Sequence, residues 1–244
     1  MSEGASYLVG AELPAVIVNI MRGGPGLGGI LPAQSDYFQA TKGGGHGDYR
    51  LPVVAPATIQ EAVDLTFVSF DLADKYRTPV MIIGDGMIGQ MMEPVEFPEK
   101  VTTYDSHPET WATTGAKGRP PRILKSLFLD PVALEKNSID LAKKYDQMKR
   151  EETRFKSYRI SPQNTVLVVA YGTMARICQT AIDELDNEGV SVGLFRPITC
   201  FPYPEVELRA EADKPNIKTV LTIEMSMGQM VEDVERIVGR DKPV

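Results

Sequence analysis

The chain has 244 residues, 43% hydrophobic and 24% charged, enough apolar material for one large or two modest globular domains. Its net charge of -7 excludes nonspecific nucleic-acid binding, which needs a basic surface to displace counterions from phosphates. Its longest apolar runs have only strand length, far below the roughly 20 residues of a membrane helix, and its N-terminus lacks the basic and apolar regions of a signal peptide.

Only two cysteines occur, Cys178 and Cys200, too few and too far apart for a CxxC metal or cluster site. The chain therefore reads as cytoplasmic and reduced, with any redox centre on another polypeptide.

In chain order, Ser2–Val9 reads as the end of a helix, and a β-branched strand over Ala15–Ile20 follows almost at once. A domain entered partway through a βα unit leaves a sheet edge unpaired, which natural folds avoid, so the chain is expected to be a partial one. A glycine-dense stretch runs from Arg22 to Tyr49, and Leu51–Val54 is a second short strand. Thr58 caps a helix running to about Tyr76, with Val63, Phe67, Phe70 and Ala73 as its apolar positions and Glu61 in its first turn. Pro79–Ile83 is the third strand, completing the grammar of a parallel α/β sheet.

Residues 96–160 differ: they are rich in proline and charge, and their single strand-length apolar run is Ile123–Leu129. Asp130-Pro131 opens a charged helix, so this segment reads as a connector with surface helices and no core of its own. Residues 161–244 restart the α/β grammar. Thr165–Ala170, Val190–Phe195 and Lys218–Ile223 read as strands. Met174–Asn187 is a helix ended by Gly189, and Gly228–Val238 a helix closed by Gly239.

The most informative stretch is MRGGPGLGGILPAQSD, residues 21–36, placed directly after the first strand. The carboxyl end of a strand in a parallel sheet is where ligands bind. Gly23, Gly24, Gly26, Gly28 and Gly29 give five glycines in seven residues, so backbone can approach a ligand closely. Arg22 at the mouth suits a carboxylate or phosphate, because a guanidinium can grip two oxygens at once. The pattern leaves open an ordinary turn with a solvated arginine. It matches neither GxGxxG opening a helix nor GxxxxGK[ST], which excludes the common dinucleotide and P-loop sites.

A second glycine cluster, residues 43–50, contains His46 beside Asp48. His46 is either a substrate-binding or acid/base group or a loop histidine making one backbone hydrogen bond. His107, in the connector, reads as solvated. Gly84-Asp85-Gly86 resembles the start of a GDG…N thiamine diphosphate–Mg2+ motif, but the next asparagine is distant Asn137, so it reads as a turn and no metal site is expected on this chain.

The stretch MRGGPGLGGILPAQSDYFQATKGGGHGDYR strongly resembles the substrate loop of the alpha subunit of 2-oxoacid:ferredoxin oxidoreductases. The resemblance continues through GDGMIGQMMEPVEFP, WATTGAKGR, YGTMAR, VGLFRPITCFPYP and TIEMSMGQMVEDV, in matching order. TGAKGR and SLFLDP look most like the branched-chain, or 2-oxoisovalerate, type.

The resemblance implies a thiamine-diphosphate pyrimidine-type parallel sheet domain in residues 1–95, partial here, a connector over 96–160, and a transketolase-C-terminal-like α/β domain over 161–244. It implies that Arg22 binds the 2-oxoacid carboxylate, with the five glycines shaping the pocket and His46 a secondary candidate. Thiamine diphosphate would be shared with a beta subunit that supplies the diphosphate and Mg2+ site. Iron–sulfur clusters would sit on further partners, with ferredoxin and CoA completing the reaction. The family's YPITP-like motif and its cofactor-activating glutamate have no counterpart in these residues, so no catalytic residue is assigned and the chain alone is expected not to activate the cofactor.

Two rival readings remain at this point. A noncatalytic assembly remnant would be separated by looking for the missing motif in an adjacent reading frame. A transketolase-like lyase would be separated by reconstitution, since only the oxidoreductase reduces a viologen dye in a CoA-linked reaction.

Overall fold

The computed structural model describes residues 2–99, 104, 105, 107–239 and 242–244. Two four-stranded sheets carry the fold. The first is built from β1 (Ala15–Met21), β2 (Val53–Val54) and β3 (Pro79–Asp85), entered through α1 (Ser2–Gly10) and crossed by α3 (Ile59–Tyr76). A short α2 (Tyr37–Thr41) follows the glycine loop. β3 is buried along its whole length and pairs in parallel with β1 from Ala15↔Pro79 to Met21↔Asp85. That register brings the carboxyl ends of both strands to one edge, directly beneath Arg22.

The Thr58 cap forms as expected: its Oγ1 accepts the Glu61 amide at 3.1 Å, satisfying one of the helix's orphan donors. The buried face of α3 overlaps the expected one: Ala73 is buried and Val63 and Phe67 are half-buried as expected, but Phe70 is not. Leu65, Ser69, Leu72, Ala73 and Tyr76 face the core, while Phe70 is 55% exposed. Ser69 disguises that stripe, since its hydroxyl donates to the Leu65 carbonyl at 2.6 Å and so enters the core already satisfied.

The connector holds α4 (Pro108–Trp111) and α5 (Pro131–Glu151). Ile123, Leu127 and Leu129 form no strand and are exposed. Asp130 caps α5 through the Val132 and Ala133 amides. Contrary to the surface-helix expectation, α5 contributes to the core: Tyr145 and Met148, with Leu141 beside them, pack on Leu72, Ala73, Tyr76 and Val80. The spacing 141, 145, 148 places all three on one helical face. The many lysines and acids between them hide it.

The second sheet contains β4 (Phe155–Tyr158), β5 (Val166–Val169), β6 (Val192–Pro197) and β8 (Thr219–Thr222) in the order β4-β6-β5-β8. α6 (Gly172–Asn187) makes the parallel crossover from β5 to β6, and Gly189, at φ 82, ends it in the left-handed region that favours glycine. α7 (Glu205–Ala212) and α8 (Met230–Val238) pack against each other. One strand changes sheets: β7 (Thr199–Phe201) pairs antiparallel with β2 and closes the first sheet as β1-β3-β2-β7. The two sheets share one apolar cluster, in which Met81 and Ile83 of β3 sit with Leu167, Val169 and Phe195. Among the described residues, no helix is long and apolar enough to cross a membrane.

Candidate functional site

β1 delivers Arg22 to the sheet edge, and the chain then folds back on itself. Arg22 bridges Pro32, the Gly23 amide donates to the Leu31 carbonyl at 2.9 Å, and the Gly29 amide donates to the Gly23 carbonyl at 2.8 Å. This closes a tight loop whose inner turn needs glycine. Gly28 has φ 53, and a Cβ there would lie 1.8 Å from the Gly23 carbonyl oxygen, an impossible overlap. Gly23, Gly24, Gly26 and Gly29 lie along the same loop, with Gly26 also at positive φ.

The Arg22 side chain is exposed, and its Nη1 donates to the Gly29 carbonyl at 3.3 Å. Among the described residues it has no carboxylate partner. Most of its donors are therefore free to meet an external anion. Leu27, Ile30 and Leu31 are 87%, 86% and 74% exposed on the same loop, and Val18 and Ile20 are exposed on β1.

The turn after β3 supports this loop from below. Gly86 donates its amide to the Met21 carbonyl at 3.1 Å, and a side chain there would meet Pro32 Cα at 3.6 Å. Asp85, within the Gly84-Asp85-Gly86 turn, is buried, and its Oδ1 accepts the Met87 and Ile88 amides at 2.8 and 3.2 Å. A turn does follow β3 as expected, and the Asp85 carboxylate organises it.

His46 is exposed on the second glycine loop, which reaches α1: Ser6 donates its hydroxyl to the His46 carbonyl. Its imidazole makes no hydrogen bond or ion pair among the described residues. Among the described residues, no hydrogen bond or ion pair joins it to Arg22. Tyr49 ties that loop together, its hydroxyl accepting the Gly44 and Gly45 amides at 3.2 Å. His107 is exposed beside Asp105 and Glu109.

Behind the loop lie buried polar residues that no sequence motif marks. Gln34 and Tyr171 are both buried, with the Gln34 Nε2 donating to the Tyr171 carbonyl at 3.0 Å. Burial, reinforced by nearby Cys200, Glu224, Asp85 and Asp36, pushes the Tyr171 hydroxyl far above its ordinary range and keeps it a donor. Asn19 donates to Asp36 Oδ2 at 3.2 Å, so β1 and the start of α2 are pinned together. None of these carries a sequence signal, since each is an isolated polar residue whose partner is remote in sequence.

Both cysteines are buried and free. Burial pushes the Cys178 thiol up to about 11 and Cys200 higher still, so neither is a nucleophilic thiolate at neutral pH. The native chain should react with no Ellman's reagent at pH 7.5 and with both thiols once unfolded in guanidinium. Rapid labelling of the native chain would contradict this burial.

The fold and loop define an α/β protein with an exposed arginine at the carboxyl ends of the parallel strands β1 and β3. Residues 1–159 match the family described as pyruvate flavodoxin/ferredoxin oxidoreductase, thiamine diphosphate-binding, and residues 165–244 match pyruvate:ferredoxin oxidoreductase core domain II. The chain belongs to the 2-oxoacid:ferredoxin oxidoreductase family.

It is 46% identical over 238 residues to the ketoisovalerate oxidoreductase subunit VorB of Methanothermobacter marburgensis, covering 97% of this chain and 66% of that protein. It is 32% identical to the 2-oxoglutarate synthase subunit KorA of Archaeoglobus fulgidus, over 97% of this chain and 68% of that one. The chain thus spans about two thirds of the length of these curated relatives. In fold it resembles a 2-oxoglutarate:ferredoxin oxidoreductase from Magnetococcus marinus, with TM-score 0.84 and 23% identity, covering all of this chain and 47% of that one. At the end of β1, one loop carries the Arg22 guanidinium, with no carboxylate partner among the described residues, and the exposed side chains of Leu27, Ile30 and Leu31.

Proposed function

We propose that this chain is the 2-oxoacid-recognising part of a CoA-dependent 2-oxoacid:ferredoxin oxidoreductase that converts a branched 2-oxoacid to its acyl-CoA and CO2. One observation carries this reading: among the described residues, Arg22 has no carboxylate partner, and it stands at the mouth of a glycine loop on the sheet edge. Two-point capture of the substrate carboxylate by Arg22 would aim the keto carbon at the cofactor. Gly23, Gly24, Gly26, Gly28 and Gly29 let the backbone close around it, and His46 is a secondary substrate contact. When bound, thiamine diphosphate supplies a carbanion for the keto carbon and an electron sink once CO2 departs.

In this reading, residues 1–95 form the pyrimidine-side unit, 96–160 the connector and 161–244 the second unit. A beta subunit contributes the diphosphate and Mg2+ site, and cluster-bearing subunits pass electrons to ferredoxin in the cytoplasm. The branched-chain preference is supported by the ketoisovalerate oxidoreductase relative, more similar to this chain than the 2-oxoglutarate relative.

The test is to purify the chain with its native partners, identify them by mass spectrometry, and follow CoA-dependent viologen reduction. Branched 2-oxoacids should give a kcat/KM at least about tenfold above 2-oxoglutarate and pyruvate, the order of a one- or two-methylene discrimination or better. Equal or reversed preference would discard the branched-chain assignment, and no CoA-linked reduction would discard the enzyme reading.

A further inference from the structure

The Arg22 loop is not held by its own sheet alone. Directly after it, residues 34–38 are fastened to the second unit through two glutamines. Gln34 is 1% exposed: its backbone N–H donates to the Met225 carbonyl at 2.7 Å, its side-chain Oε1 accepts the Met225 amide at 2.9 Å, and its Nε2 donates to the Tyr171 carbonyl. Gln229 answers from the other side. Its Oε1 accepts the Phe38 amide at 2.8 Å, and its Nε2 donates to the Ser35 carbonyl at 2.7 Å.

A primary amide donates and accepts at once, so each glutamine clamps two backbone groups of opposite polarity. Gln229 is itself fixed: Glu224 accepts the Gln229, Met230 and Val231 amides at 3.0 to 3.1 Å at the start of α8. Ser35 then sends its hydroxyl to the Arg22 carbonyl at 3.0 Å. Hydrogen bonds thus run unbroken from the start of α8 to the backbone of Arg22.

We propose that Gln34 and Gln229 are positioning residues, through which the second α/β unit sets where the Arg22 guanidinium stands. Neither touches the substrate. Their effect passes entirely through the loop, and it rests on the reading of Arg22 as the carboxylate anchor. Loop placement errors near 1 Å lower catalytic efficiency steeply, so a loosened clamp should weaken substrate capture before it unfolds anything.

The experiment replaces Gln229→Glu in the assembled complex, which keeps the acceptor for Phe38 but removes the donor to Ser35. Gln34→Met is the second variant, removing both of that residue's side-chain hydrogen bonds with similar volume. For Gln229→Glu, KM for the 2-oxoacid should rise about tenfold, the loss expected from one well-placed hydrogen bond, with KM for CoA and kcat little changed. Hydrogen exchange at the Gly23 and Gly29 amides should quicken by a similar factor while Leu167 and Val169 in β5 keep their protection.

Unchanged loop exchange in both variants would overturn the clamp. Faster exchange with an unchanged 2-oxoacid KM, in a protein whose Arg22→Lys variant does raise that KM, would overturn the positioning role. Failure of Arg22→Lys to raise KM sinks the carboxylate reading instead, and the exchange data still decide whether the glutamines hold the loop.

Discussion

Replacing Arg22 with alanine should raise KM for the 2-oxoacid by about 10- to 100-fold, since a hydrogen bond to a charged group contributes about 1.5–3 kcal/mol and each 1.4 kcal/mol is tenfold. The expectation follows from what Arg22 lacks as much as from where it stands. Its guanidinium has one carbonyl contact and no carboxylate among the described residues, so deletion breaks no internal ion pair. The folded chain should lose little stability, with Tm within about 2 °C of the parent, the scale of surface substitutions. A large fall in Tm would make Arg22 a structural residue. A small KM change with an intact fold would place the carboxylate elsewhere. Steady-state kinetics and a thermal melt on the same preparation separate these outcomes.

Glu61→Gln should destabilise the chain by about 3 kcal/mol, lowering Tm by roughly 6–12 °C for a chain of this size. Glu61, at the first turn of α3, faces the second sheet: its carboxylate accepts from Arg196 of β6, from Lys156 of β4 at 2.7 Å and from the Ala57 amide at 3.0 Å. Arg196 is 4% exposed, so losing its counterion strands a buried charge. Burial alone would raise the Glu61 pKa, but the hydrogen bonds from Arg196, Lys156 and Ala57 outweigh it and hold the group at about 2.

The pH dependence follows in sign. A carboxylate with a depressed folded-state pKa contributes stability that is fully present above its unfolded value of 4.5 and is lost as pH falls through about 2. The stability gap between the parent chain and the Glu61→Gln variant should therefore be widest at neutral pH and close between pH 4.5 and 2. Chemical denaturation across that range checks it. A gap independent of pH would show that the charge is not what joins the two sheets.

The parts of the fold legible in the sequence are those whose signal is local. β1, β3 and β5 are short β-branched runs, and β3 and β5 are largely buried on both faces because helices cover a parallel sheet. Thr58, Asp130 and Gly189 mark helix ends by side-chain or backbone chemistry that needs no partner. What escaped depends on remote residues. β7 has three residues followed by Pro202 and Pro204, and it is a strand only because β2, far earlier in the chain, offers it an edge. α2 and α7 are too short for periodicity to emerge from their surroundings. The buried faces of α3 and α5 were obscured by Ser69 and by the charges flanking Tyr145 and Met148.

The site divides the same way. Arg22 and its glycines announce themselves, because a backbone fold with Gly28 against the Gly23 carbonyl admits no other residue. Gln34, Gln229, Glu61 and Arg196 do not. Each is an ordinary polar residue until the fold sets it opposite a partner on the other unit.

The most direct measurement is KM for the 2-oxoacid and for CoA, side by side, in the assembled complex carrying Arg22→Lys. Lysine keeps the charge but loses the two-point geometry that grips a carboxylate. KM for the 2-oxoacid should rise markedly while KM for CoA stays put. An unchanged 2-oxoacid KM, or an equal rise for both substrates, would contradict Arg22 as the carboxylate anchor.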